Sequence, residues 1–542
     1  MKKNTLLVLA ATFAAGTFYN PIAKGQNLTD AVRFSSNDLG GTARYRSMAG
    51  AFGALGGDLS CMGDNPAGLA IYRGTNTLSI TPHLGFSSAK TQGTSKIKNK
   101  DNNFSVSSFG ALFSMKNEDG PVVNVNLGFG IERKLENHRK YTLRNGNPQS
   151  SLSQYLTNQA NDFLSNNKGF KASDLASEEA KNSNIVPLLT YMAYDVYAID
   201  DDPLDKYSVM NPMGGALADQ EMRVVENNRE NIYNIAGSVN LNDQLYIGLN
   251  FKITDYKSTV QSEFDEYYRN FPDDALYYDN NIENKSTGFG INLGVLWKPT
   301  DQWRIGAAVH TPIWSTINEI YTLRMGTDFV DVNNDPAYAD VVFPDDWDDA
   351  YPDWEYDFQT PWEYQFSTAY VLGNRGILSL EWDMKDYTTM KYSASKNFAL
   401  YPGSFDEIND AIKQTMQMQH TLKAGLEYRI TNQLSARVGY AYVTSPYKED
   451  VAKGLIDNAH EQNLYYSSQS KLNYNTLDNQ YYITGGLGWR GSSWTIDLSC
   501  VSHTMNEYIG AYAADYVTLK DREIFKMSTH KLNWDLTLGY RF

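Results

Sequence analysis

The sequence predicts an all-β fold, a transmembrane antiparallel β-barrel of about 14 strands plugged by a small N-terminal hatch. Three observations lead there. From residue 74 onward the chain is a succession of segments in which apolar and polar residues alternate. The connections between these segments are by turns very short and long, and a Gly/Ala/Ser-rich stretch without alternation precedes them all.

Alternation is expected where a wall faces lipid on one side and a polar lumen on the other. Val123, Val125, Leu127, Phe129 and Ile131 share one face of a segment, and Asn124, Asn126, Gly128, Gly130 and Glu132 share the other. Leu245, Ile247, Leu249, Phe251 and Ile253 oppose Tyr246, Gly248, Asn250, Lys252 and Thr254 in the same way. A soluble sandwich also alternates, and connection lengths break the tie. Short turns recur at 116–120, 240–243, 298–302, 373–375, 430–433 and 490–493, and every intervening connection is longer. Short turns at one rim and long loops at the other are the asymmetry of outer-membrane barrels.

Composition agrees. No stretch beyond the N-terminus has the roughly 18 uncharged apolar residues a membrane helix needs, so spanning must be done by strands. Aromatic residues make up 13% of the 542, with 38 Tyr, and Trp297, Trp303, Trp489 and Trp494 flank short turns where an interfacial girdle belongs. The net charge of -16 argues against nucleic acid or an anionic surface as partner. Cys61 and Cys500 suggest neither a disulfide nor a metal site, and the seven His are scattered singly, so no metal or cofactor is expected. Ser502 and His503 are adjacent on a strand and point to opposite faces, and no catalytic constellation is evident.

The chain divides into a secretory signal at 1–25, a hatch at 26–73 and the barrel at 74–542. Lys2 and Lys3, the apolar run from Leu6 to Phe18, and Ala23-Lys24-Gly25 carry the signal reading. The hatch core, GGTARYRSMAGAFGALGGDLSCMGDNPAGLAIYR from Gly40 to Arg73, has the small side chains that let backbone pack on backbone, with Gly53, Gly56 and Gly57 permitting that packing. A short helix is expected around Asp30 to Asn37. Another turn is expected at Ala67 to Ala70, with Asp64 or Asn65 as N-cap and Pro66 at the first helical position.

Asn65-Pro66-Ala67, after a Gly/Ala-rich run and just before the first strand, resembles the NPA motif in the hatch of the FadL/TodX family of outer-membrane transporters. The run GGTARYRSMAGAFGALGGDLS is similar to Bacteroidetes-type members of that family. The resemblance implies a monomeric, non-enzymatic outer-membrane channel that admits long-chain fatty acids or hydrocarbons by passive diffusion. It implies capture at outer loops, transfer to an apolar pocket, release when the hatch rearranges about Asn65, Pro66 and Ala67, and sideways exit through the wall. Outer-membrane lipid and lipopolysaccharide are the expected surroundings. The alternating C-terminus, with Tyr540 and Phe542 on its apolar face, resembles the signal read by the outer-membrane assembly machinery.

The largest outer loop is expected at about 136–229. Leu188, Leu189, Met192, Val196 and Ile199 follow helical spacing there, either as a lid folded onto itself or as a surface that captures ligand. Asp331, Asn333 and Asp335 have the first spacings of a calcium loop, but Pro336 stands where the turn glycine belongs, and a solvated acidic loop is the default. The rival to transport is a barrel that only displays its loops for adhesion. A continuous apolar cavity favours the first and a lumen packed with charged pairs the second.

Overall fold

The computed structural model describes residues 27–542 apart from 95, 118–119, 147, 149, 168, 178–185, 215–217, 271–273, 331–335, 344–353, 397–404, 454–470 and 513–523. The expected signal at 1–25 and the calcium candidates Asp331, Asn333 and Asp335 lie outside the described residues.

Fourteen strands form the wall: β1 Thr77–Gln92, β2 Lys96–Lys116, β3 Val122–Asn145, β4 Ala218–Leu241, β5 Leu245–Tyr268, β6 Ala275–Trp297, β7 Trp303–His310 continued as Trp314–Val330, β8 Trp354–Gln359 continued as Trp362–Leu372, β9 Gly376–Asp386 continued as Lys391–Ala394, β10 Met418–Arg429, β11 Leu434–Val443, β12 Tyr474–Arg490, β13 Trp494–Gly510 and β14 Phe525–Arg541. Neighbours pair antiparallel, and β14 closes on β1 with Thr77 opposite Arg541. Closure removes the free edges that an open sheet would expose to lipid.

The membrane boundary can be read along single strands. On the lower part of β5, Ile247 and Phe251 are 40% and 49% exposed while Asn250 between them is 0% exposed. Above Ile253 the faces exchange character. The outside becomes ionic, with Lys257 3.3 Å from Glu283 and Arg223 2.9 Å from Glu263. The inside becomes apolar, with Val260, Phe264, Tyr268, Leu276, Tyr278 and Ile282 buried. The barrel therefore has a lipid-facing lower part and a sleeve that stands in water above it.

This exchange corrects the loop boundary. β3 runs on to Asn145 and β4 begins at Ala218, so the outer connection occupies 146–217 rather than 136–229.

Three consecutive strands break near the top of the lipid-facing part, at Thr311–Ile313, Thr360–Pro361 and Tyr387–Met390. Pro312 and Pro361 have no N–H to give the ladder. The hydroxyls of Thr311, Thr360 and Thr389 accept instead from the N–H groups of Ile291, Ile313 and Trp362 at 2.9, 2.8 and 3.1 Å. Threonine at each break keeps the neighbouring donors satisfied.

Candidate functional site

The lumen is filled in layers, and the hatch is the lowest. Asn65 caps a 3-10 helix, Pro66–Ile71, by accepting from the N–H of Ala67 at 3.1 Å, with Pro66 at the first position. Its side-chain amide donates to the carbonyls of Gly53 at 2.7 Å and of Val295, on the wall, at 3.1 Å. The wall makes room for this segment with glycine. A Cβ on Gly294 would stand 2.0 Å from the Asn65 side-chain oxygen, and one on Gly248 would stand 2.2 Å from the Pro66 carbonyl carbon. Gly53 donates its N–H to the Glu381 carboxylate at 2.6 Å, and Gly56 and Gly57 both have positive φ, where a side chain would be strained.

Ion pairs fasten the same hatch to the wall. Arg44 reaches Glu427 at 3.0 Å and Arg46 reaches Asp535 at 2.8 Å, while within the wall Lys423 bridges Glu381, the acceptor for Gly53, and Asp383 at 2.7 and 2.6 Å. Asp38 pairs with Lys531 at 2.9 Å. Burial alone would raise the Asp38 carboxyl, but Lys531 and His503 outweigh it and hold the group below its ordinary value. Burial pushes the Cys61 thiol well above its usual value. No pair of these groups was assignable from sequence, because pairing across a lumen depends on the barrel's register.

Above the hatch lies a cavity of about 190 Å³ between the wall and helix α1, Leu28–Ser35. Its lining mixes Leu39, Leu135 and Val443 with Lys134, Lys385, Glu363 and Glu507. Helix α1 caps itself with Asn27 and sits in an aromatic chamber. Phe34 meets Tyr256 edge-on at 5.6 Å and Phe358 at 5.6 Å, while Tyr392 packs on Phe358 at 4.8 Å and on Tyr356 at 5.7 Å. The sequence signalled a short helix here but gave no sign that the upper wall would enclose it in tyrosines.

The uppermost layer is a lid built from α2, Leu152–Asn166, and α3, Leu188–Asp195. Leu189, Met192, Val196 and Ile199 are 1% exposed or less, and Leu188 packs partly buried against the same cluster. These residues face the sleeve's apolar interior. At the opposite rim, Tyr540 packs on Trp494 at 4.8 Å and stacks on Phe542 at 5.9 Å, and Phe542 exchanges backbone hydrogen bonds with Asn76.

One side of the wall does not close edge to edge. The β2–β3 ladder ends at Ser108 opposite Glu132, although β2 continues to Lys96 and β3 to Asn145. Above that point β2 lies over the outer face of β3. Ser105 donates to Glu136 at 2.6 Å, and Asp101 meets His138 at 2.6 Å. The carbonyls of His138 and Thr142, left without a ladder partner, accept from the Ser87 and Thr91 hydroxyls of β1 at 3.0 and 2.5 Å. At the foot of this overlapped seam Gly110, Gly128 and Gly130 leave a thin place in the wall. Leu59 and Met62 of the hatch stopper it from inside, and a Cβ on Gly130 would stand 2.6 Å from the Met62 methyl.

Ser502 meets His530 across strands at 3.0 Å on the outer face, and no carboxylate joins them among the described residues.

A closed fourteen-stranded barrel with a lipid-facing girdle and an N-terminal hatch lodged in its lumen is an outer-membrane plugged barrel. No protein-family model and no curated protein matches the sequence. Among solved structures, a FadL homologue from Pseudomonas aeruginosa aligns over 93% of this chain and 99% of its own, with a TM-score of 0.50 and 13% identity. The Pseudomonas putida toluene transporter TodX aligns over 93% and 99%, with a TM-score of 0.47 and 10% identity. The monoaromatic hydrocarbon channel CymD aligns over 94% and 99%, with a TM-score of 0.46 and 9% identity. At these identities the likeness to the FadL homologue is one of fold.

Proposed function

We propose that the protein is a passive channel for hydrophobic small molecules of the fatty-acid or hydrocarbon class. The observation that carries this reading is the aromatic chamber beneath the lid. There α1, a short helix tethered at one end to the hatch, packs beside a loop helix, Asp406–Thr415, whose Ile408 and Ile412 join the same cluster as the wall tyrosines. An apolar ligand entering beneath the lid competes with α1 for the same tyrosine and phenylalanine surfaces, and displacement of α1 pulls on the hatch through Asp38 and Arg44. Movement of Leu59 and Met62 then unstoppers the glycine-thinned foot of the β2–β3 seam. Sideways exit there spares an apolar ligand the ionic layer around Arg44, Glu427 and Arg437. The segment Asn65, Pro66 and Ala67 is the hinge in this scheme. The wall's outward apolar band and the solved FadL homologue of the same fold support the setting.

The rival reading, a barrel that only displays its loops, is favoured by one observation. The cavity under α1 carries Lys134, Lys385, Glu363 and Glu507 in its lining beside apolar side chains, and ion pairs such as Lys423 with Glu381 and Arg437 with Asp497 stand in the lumen. The two separate in an uptake experiment with labelled fatty acids and monoaromatics in cells lacking their own transporter. Transport predicts ligand-selective uptake that is altered by Asn65→Ala/Pro66→Ala in an assembled barrel. Display predicts background uptake for every ligand with the barrel confirmed at the surface.

A further inference from the structure

The outer face of the β1–β2 hairpin differs from the rest of the sleeve. Elsewhere on the sleeve several outward cations pair with carboxylates, as in Lys257 with Glu283, Arg269 with Asp219 and Arg324 with Asp340. Here Lys90, Lys96, Lys98 and Lys100 are all exposed, and none has an ion-pair partner among the described residues. Lys90 and Lys98 stand directly opposite each other in the ladder, and Lys96 and Lys100 occupy the outward positions on either side of Lys98. On the next strand Lys526 stands opposite Gln92 and reaches only the face of Tyr508, at 5.8 Å. Like charges directly opposed across a ladder destabilise it, so five lysines on three strands form a place where an anion would relieve repulsion.

Height decides which anion. Below the lysines, past Ser88 and Asn102, the outward residues become apolar, with Leu84, Phe86, Phe104 and Trp534 all exposed and Phe104 at 74%. Phe86 and Lys90, like Lys100 and Phe104, are four positions apart, about 13 Å along a strand. The lysines therefore stand where acyl chains give way to headgroups on the long-loop side, which in an outer membrane is the outward leaflet. Basic clusters at that depth attract anionic headgroups.

We propose that this lysine grid binds the phosphate groups of a phosphorylated glycolipid of the outer leaflet, whose acyl chains lie on Leu84, Phe86, Phe104 and Trp534. The site is a local exception to a chain of net charge -16. It requires the membrane orientation but not the transport reading. Because the grid lies on the hairpin that overlaps β3, a bound glycolipid holds the outer flap of the seam in the leaflet.

The test uses the full-length protein in detergent, titrated with bis-phosphorylated lipid A, with the same lipid A stripped of phosphate, and with inorganic phosphate, and followed by native mass spectrometry. Wild type is expected to prefer the phosphorylated lipid at least tenfold over the dephosphorylated one. Lys90→Gln/Lys98→Gln/Lys100→Gln, checked for heat-modifiable assembly, is expected to lose that preference, and Lys257→Gln/Lys285→Gln to keep it. A single-lysine variant, Lys98→Gln, covers the case in which the triple variant fails to assemble, with an expected partial loss. Equal binding of both lipids, an unchanged preference in the lysine variants, or full displacement of lipid A by equimolar inorganic phosphate overturns the proposal.

Discussion

The Asn65 side-chain amide and the Val295 carbonyl, 3.1 Å apart, join the hatch to the wall. The same amide holds Gly53, and its oxygen caps the next helical turn. Asn65→Ala removes a donor from the buried Gly53 carbonyl and the part-buried Val295 carbonyl, and removes a cap. Each such loss costs about 1 kcal/mol or more, and here the losses fall on the hatch and not on the ladder. Cys61, 0% exposed, reports it. In a Cys500→Ser background, Asn65→Ala is expected to speed labelling of Cys61 by tenfold or more while the barrel still migrates as heat-modifiable. Unchanged labelling removes Asn65 from the hinge.

Gly248 tests the wall side of the same contact. With a Cβ due 2.2 Å from hatch backbone, Gly248→Ala cannot be absorbed by a side-chain rotation. Overpacking of this kind costs typically about 1–3 kcal/mol. The expected result is an unseated hatch and fast Cys61 labelling, whereas Gly237→Ala, which meets nothing within 4 Å, leaves labelling at the wild-type rate.

Phe34 anchors α1 in the aromatic chamber. Phe34→Ala removes a side chain held by Tyr256 and Phe358, a change that costs about 3–5 kcal/mol in a packed core. If α1 competes with ligand, loosening it raises affinity for an apolar fluorescent probe several-fold. Weaker probe binding in Phe34→Ala would mean that α1 forms part of the site.

Acid acts on the hatch through Asp38. Its folded value lies below the unfolded value of about 3.9. The pairing with Lys531 therefore stabilises fully above that unfolded value and is lost as pH falls through the lower folded one. Hydrogen exchange of residues 36–48, corrected for intrinsic rate, is expected to stay flat from pH 5 to 8 and to quicken only below about pH 4. Lys531→Met, which leaves the partly buried Asp38 carboxylate without this cation, is expected to move that loss to higher pH.

Strand positions were legible because lipid imposes one simple rule on the outside of the wall, and β5, β6 and β14 obey it over long runs. The rule stops at the membrane surface. Above Ile131 and Ile253 alternation continues with its faces exchanged, so the sleeve parts of β3 and β4 read as loop. The hatch was legible from its glycines and from Asn65-Pro66-Ala67. Gly128 and Gly130 were visible as inward glycines, but nothing in the sequence says that Leu59 and Met62 fill the space. The β2–β3 seam was not visible at all, since the residues of each strand are those of an ordinary ladder and only register tells that they overlap.

Cross-linking that seam tests transport through it most directly. With Cys61 and Cys500 replaced by serine, Ser105→Cys/Glu136→Cys places two thiols across the overlap, where the native side chains meet at 2.6 Å. Uptake of a labelled fatty acid or monoaromatic is then measured before and after a short, reducible bis-thiol cross-linker. The account predicts that uptake stops on cross-linking and returns on reduction, while a Leu426→Cys/Val438→Cys pair in the β10–β11 ladder, away from the seam, has no effect. Full uptake through a cross-linked seam would contradict it.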